Sequence, residues 1–210
     1  MLKLAPALIA GLAAMGGWAV VTVKDLPEYL VAGQQYTLEF QVRQHGKHLL
    51  TDLRPRLEMR SSQRDFGTVA ALQRGATGTY AVTFTPPTVD RLELTINSGF
   101  GDTRLRLYPI AVLASGASRP AMALAERGQA LFVAKGCNTC HTNSDLRNRP
   151  ENRELTVGPA LGGRQLATHL VIQKMQQPAS QIMPELGLTD SEVAAIAAFV
   201  SGGQAAGGGR

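Results

Sequence analysis

The chain has 210 residues, 44% of them hydrophobic, and a formal net charge of +5. That is room for one large domain or two small ones, each with a genuine core. Its lysines and arginines are spread along the chain and mixed with acids, so no basic block argues for nucleic acid.

The N-terminus reads as an address. Lys3 precedes an apolar run over residues 4–15, rich in Ala and Leu, and the small residues Ala14, Gly16 and Gly17 suit signal peptidase. We expect a signal peptide over residues 1–17, cut near Gly16 or Gly17, with Trp18 close to the mature start. The rival is an uncleaved membrane anchor, because the uncharged stretch between Lys3 and Lys24 is just long enough to span a bilayer. Against it, Ala19-Val20-Val21-Thr22-Val23 reads better as a strand than as membrane helix. No cysteine lies near the cleavage region, which excludes lipoprotein anchoring.

Residues 18–113 then alternate with period two. Thr37 to Arg43, Gly78 to Phe84, Arg91 to Ile96 and Arg104 to Tyr108 are the clearest runs, separated by turn residues at Ala32-Gly33, Gly46-Lys47, Gly75, Pro86-Pro87 and Ser98-Gly99. Strands at this spacing, with no room for crossover helices, predict an antiparallel β-sandwich of about seven strands. His45-Gly46-Lys47-His48, with Met59 nearby in sequence, has copper-binding residue types, but a hairpin turn between two strands is the preferred reading. No Ser/His/Asp set, paired carboxylates or phosphate-cradling glycine loop stands out.

Residues 114–119 are small and polar and read as a linker. Over residues 120–203 the period becomes helical. Pro120 suits a helix first turn, and Leu124, Gly128, Leu131 and Phe132 fall on one face. A second helix is predicted over residues 164–176. A third opens on Thr189-Asp190-Ser191-Glu192, a capping box, with Leu188 and Val193 placed as a hydrophobic staple. Its buried stripe is Val193, Ile196, Ala197 and Val200, Gly202-Gly203 ends it, and residues 204–210 are a tail.

Between the first two helices stands Cys137-Asn138-Thr139-Cys140-His141, which holds the only two cysteines. C-x-x-C-H is the attachment signature for c-type haem. Two thiols at this spacing can each form a thioether to one vinyl group of the same ring, and the adjacent His141 falls where an imidazole can bind the iron. A redox dithiol belongs at a helix start in a βαβ unit, whereas this pair follows a predicted helix. A structural zinc site needs about four ligands. A disulfide here would close a very tight ring. These three readings are weaker.

The helical part resembles class I (monohaem) cytochromes c on features met in the same order. They are the Gly128/Phe132 pair in the first helix, Cys137 to His141, Gly158-Pro159-Ala160-Leu161, and Met183-Pro184 before the last helix. The resemblance implies an all-α class I cytochrome c fold over residues 120–203 carrying one covalently attached haem c. It implies that Gly128 and Phe132 meet the C-terminal helix, and that the Pro159 carbonyl accepts a hydrogen bond from a proximal His141. It also implies that Leu161 belongs to the haem pocket and that Met183 is the distal ligand. Met175 and His169 are the competing distal candidates; both lie inside a predicted helix, where packing and solvent exposure are the preferred roles. The β region resembles small exported immunoglobulin-like domains of the YtkA- and FixH-like group, which carries no site with it.

The expectation is therefore two domains, an immunoglobulin-like sandwich followed by a cytochrome c fold. It would be an exported, periplasmic electron carrier rather than an enzyme. Its partners would be redox proteins, among them a membrane respiratory or photosynthetic complex, with no small-molecule substrate. The mild positive balance suits a solvated surface, haem propionates or an acidic docking partner. Two alternatives stand: a haem enzyme or gas sensor with a labile distal ligand, and a copper-binding β domain with a haem relay.

Overall fold

The computed structural model describes residues 17–75, 77–178 and 182–202. The leader expected over residues 1–17, apart from Gly17, and the tail over residues 204–210 lie outside them, as does Gly203. Among the described residues no helix is long and apolar enough to cross a membrane.

The first half forms two sheets. One contains β1 (Ala19–Val23), β3 (Tyr36–Gln44), β4 (His48–Leu49), β7 (Leu72–Arg74) and β8 (Thr79–Phe84), ordered β1-β3-β8-β7 with β4 paired to the end of β3. The other contains β2 (Leu30–Val31), β5 (Arg56–Arg60), β6 (Asp65–Ala70), β9 (Arg91–Asn97), β10 (Arg104–Arg106) and β11 (Ile110–Leu113), ordered β2-β11-β9-β5-β6 with β10 also on β9. Alternation decides which side chains meet. Leu38, Phe40 and Val42 of β3, Val21 and Val23 of β1, Leu57 of β5, and Leu92, Leu94 and Ile96 of β9 are buried in one cluster. Each such side chain contributes about 1.5–3 kcal/mol by leaving water.

The expected runs appear as β1, β3, β8, β9 and β10. The strand count does not match the expectation of about seven: eleven strands are present among the described residues. The added ones include β2 and β4, two residues each, and β7, three residues, too short to show a period. Nor is the region wholly antiparallel, since β2 and β11 pair in parallel through Val112↔Leu30 and Leu113↔Val31. No crossover helix is needed there, because most of both sheets lies between the two strands in sequence. His45, Gly46 and Lys47 form the expected turn, between β3 and β4.

The second half holds α1 (Leu124–Ala134), α2 (Cys137–Cys140), α3 (Thr168–Gln176) and α4 (Asp190–Val200). α1 starts four residues after Pro120, which lies in exposed chain, and α3 starts at Thr168 rather than at Arg164. α4 carries the full capping box: Thr189 Oγ1 accepts from the Glu192 amide, and the Glu192 carboxylate accepts from the Thr189 amide at 3.1 Å. α1 and α4 cross closely. A Cβ on Gly128 would lie 1.9 Å from the Ala195 carbonyl oxygen, and the rings of Phe132 and Phe199 meet edge to face at 5.6 Å.

The two halves are joined along the outer face of the first sheet and, through Asn152, at β10 of the second. Val21 of β1 points into the sandwich, so Val20 and Thr22 point away from it, yet both are buried. Thr22 Oγ1 donates to the Lys135 carbonyl at 3.4 Å. The Lys135 ammonium is 2.6 Å from the Glu192 carboxylate and donates to the Lys24 carbonyl. Arg127 donates to the Leu26 carbonyl and lies 3.7 Å from Glu28. Asn152 exchanges two hydrogen bonds with the Arg106 backbone, at 2.7 and 2.9 Å.

Candidate functional site

A cavity of about 630 Å³ opens between α1, α3, α4 and the loops that join them. Its lining is overwhelmingly apolar, and it gathers every sulfur and imidazole that the sequence singled out in this half except His169. Cys137, Cys140, His141 and Met183 all face it, with Pro159 and Leu161. These six are 46 residues apart at the extremes, from Cys137 to Met183, and the fold brings them to one space. His169 is exposed on α3 and does not line the cavity, whereas Met175 does, as a second thioether.

His141 follows α2, where the chain turns extended at φ −112° and ψ 120°. Its Nδ1 donates to the Pro159 carbonyl at 2.9 Å. That bond puts the proton on Nδ1 and leaves Nε2 with its lone pair, the form a metal requires. The ring lies against backbone: a Cβ on Gly158 would come within 2.5 Å of His141 Cε1, so only glycine leaves the imidazole its place. The Gly158 amide also donates to the Cys140 carbonyl at 2.9 Å, and the Leu161 amide to the Thr142 carbonyl at 2.8 Å. The Gly-Pro-Ala-Leu segment is thereby laced to the Cys-His segment on both sides of the histidine.

The thiols sit in a medium that disfavours charge. Burial, and secondarily the neighbouring Cys140, push the Cys137 thiol up to about 12, and burial raises Cys140 as well. Both are free in the structure. Neutral thiols, one imidazole lone pair and a thioether around an apolar space form a donor set suited to an iron porphyrin held covalently through its vinyl groups. A hydrated ion would find little there, since most of the lining offers it no oxygen ligand. Among the described residues no group of three or more His, Cys, Asp or Glu is gathered to hold a metal ion by itself, and Met59 is buried in the sandwich core on β5.

Sequence reading missed several lining residues. Leu166, Leu170, Val171 and Lys174 come from α3 and its approach, and half-turn packing is hard to tell from ligand contact in a sequence. Val20 is a different kind of miss. It belongs to β1, more than a hundred residues from Cys137, and reaches the cavity because the helical half packs on that strand. A Cβ on Gly136 would lie 2.4 Å from Val20 Cγ1, so the residue before Cys137 rests directly on the sheet. No local signal announces such a contact.

Residues 125–204 match the family model for cytochrome c. No curated protein matches the chain. Among solved structures, a superoxide reductase (neelaredoxin) from Ignicoccus hospitalis, T24K, is similar at 19% identity, covering 44% of this chain and 79% of that one with a TM-score of 0.31. The chain thus carries a C-terminal cytochrome c domain, and the matched range leaves the two sheets outside it.

Proposed function

We propose that this protein is an exported, monohaem c-type electron carrier. Cys137 and Cys140 would hold the haem by thioethers, and His141 Nε2 and the Met183 thioether would be the protein ligands to its iron. When bound, haem supplies a one-electron couple between ferrous and ferric iron. The chain's own residues do the rest. Pro159 holds the His141 ring in one tautomer and raises its basicity. The apolar lining keeps water from the site, and a thioether ligand favours the ferrous form, so both push the reduction potential upward. With His141 and Met183 both serving as ligands, the iron would offer substrate no free position, which favours a carrier over an enzyme. The β region, read as immunoglobulin-like from its two facing sheets, would carry the haem domain to a redox partner such as a membrane respiratory or photosynthetic complex in the periplasm.

The observation that carries this reading is the 2.9 Å bond from His141 Nδ1 to Pro159, beside two thiols and Met183 on the same apolar cavity. Visible spectroscopy of the purified protein tests it. We expect a low-spin spectrum with the weak sulfur-to-iron band when oxidised, colour that survives acid–acetone washing, and little carbon monoxide binding when reduced. Met183→Leu should abolish the band and open the iron to carbon monoxide, while Met175→Leu leaves both unchanged. Colour lost on washing would overturn the covalent attachment. Rapid stoichiometric carbon monoxide binding by the wild type would favour a gas sensor or enzyme instead.

A further inference from the structure

The loop that carries Met183 has no regular structure between α3 and α4 among the described residues. A thioether held at a fixed place on such a loop needs support from outside it. Part of that support comes from the β region. The turn between β3 and β4 lies against the two residues that flank Met183. A Cβ on Gly46 would be 3.1 Å from the Ile182 carbonyl oxygen, 4.0 Å from Pro184 Cδ and 3.9 Å from the Trp18 ring.

The turn is itself tied down. His45 donates its amide to the Trp18 carbonyl at 3.0 Å, and the Lys47 amide donates to the Gln44 carbonyl at 3.0 Å. The Trp18 and His45 rings meet edge to face at 5.4 Å. Gly46 takes φ +74°, a left-handed conformation that costs other residues about 1–2 kcal/mol. The same sheet also lines the cavity beside Cys137, where Val20 packs on Gly136. The Cys137 segment and the Met183 loop therefore each adjoin the β region, at β1 and at the β3–β4 turn.

We propose that Trp18, His45 and Gly46 are positioning residues for the distal ligand, so that the β region sets how firmly Met183 holds the iron. The inference rests on the reading of Met183 as that ligand. It gives the β region a part in the redox chemistry beyond carrying the haem domain. It also means that anything pressing on the β3–β4 turn would reach the iron through Ile182 and Pro184.

Two matched glycine variants of the full-length haem protein test it. Gly46→Ala adds a methyl group against the Ile182 carbonyl. Gly33→Ala adds the same group at a nearly identical backbone angle, φ +76°, where nothing lies within 4 Å. The two carry similar backbone strain, and only one touches the ligand loop. We expect Gly46→Ala to weaken the sulfur-to-iron band, lower the reduction potential and raise the carbon monoxide-binding fraction of the reduced protein severalfold. Gly33→Ala should leave all three at wild-type values. Trp18→Ala, which removes the ring behind the turn without backbone strain, should move them in the same direction as Gly46→Ala. If the wild type shows the band and both Gly46→Ala and Trp18→Ala leave it and the potential unchanged, the positioning role is wrong while the ligand reading stands. If Gly33→Ala shifts them as much as Gly46→Ala, strain alone explains the effect and the proposal falls. A wild type without the band removes the Met183 reading and this inference together.

Discussion

The β region and the helical region are built on different plans. In the sandwich the alternating side chains of two sheets meet one another, and Phe40, Tyr80, Leu57 and Ile96 show no exposure at all. Its largest side chains are satisfied inside the region: the Tyr80 hydroxyl donates to the Leu50 carbonyl at 2.9 Å and its ring stacks on Phe40 at 5.9 Å. In the helical region α1 packs closely on α4, and much of the remainder surrounds a cavity. α3 has no buried residue, and Val171 and Met175 turn their apolar atoms to that space. A nine-residue helix with so little burial gains little from packing against protein alone. The contrast separates a region whose sequence supplies its own core from one whose sequence supplies walls and donors for a flat apolar group.

The junction between the plans is where a single substitution should cost most. Lys135 is 3% exposed and is held by Glu192 of α4 and by the Lys24 carbonyl of the β region. Lys135→Met takes the ion-pair partner from the buried Glu192 carboxylate and leaves it only the more distant Arg127 charge, which should cost up to about 3–5 kcal/mol. Removing both charges, Lys135→Met with Glu192→Gln, should recover part of that loss. Chemical unfolding followed by haem absorbance and by far-ultraviolet circular dichroism checks both expectations. The two signals should shift together, since Lys135 ties both regions; a shift confined to the haem signal would show that the regions fold separately.

How much of this was legible follows the same divide. Runs such as Thr37 to Arg43 announced strands because alternation is a local property, and Thr189 to Glu192 announced a helix start because a cap is local too. The short strands β2 and β4 carried no period of their own and formed through their neighbours. At the site, Cys137, Cys140 and His141 stood out by their spacing, Pro159, Leu161 and Met183 through the resemblance to class I cytochromes c, and the fold gathers all six at one cavity. Val20, Gly46 and Trp18 did not stand out. Their relation to the site arises from one region packing on the other, and no spacing within the chain encodes it. The helix expected over residues 164–176 begins later, at Thr168: the left-handed Gly163 and the Leu166-to-Arg164 backbone contact at 2.7 Å keep residues 164–167 as loop.

The next largest effect is expected where α1 crosses α4. Gly128→Ala places a methyl group in the space now held by the Ala195 carbonyl, so one helix must move. Overpacking of this kind costs about 1–3 kcal/mol. Because α4 also supplies Ile196 and Val200 to the cavity wall, the displacement should reach the site as well as the fold. Thermal unfolding gives the loss of stability, and the haem spectrum reports whether the wall has moved. A variant as stable as the wild type would mean that the crossing can open without consequence, and the helical region would then be looser than this close packing implies.

The smallest effect belongs to the cap of α4. Thr189→Ala removes the acceptor for the Glu192 amide and should cost about 1 kcal/mol. Its use lies in what else Glu192 does. The same carboxylate closes the capping box through the Thr189 amide and pairs with Lys135 at the junction. If the two roles are coupled, Thr189→Ala combined with Lys135→Met will lose less than the sum of the single losses, because the second substitution acts on a carboxylate already loosened. Additive losses would instead assign the cap to α4 alone and leave the junction to Lys135, drawing the boundary between the two plans one residue pair closer to the β region.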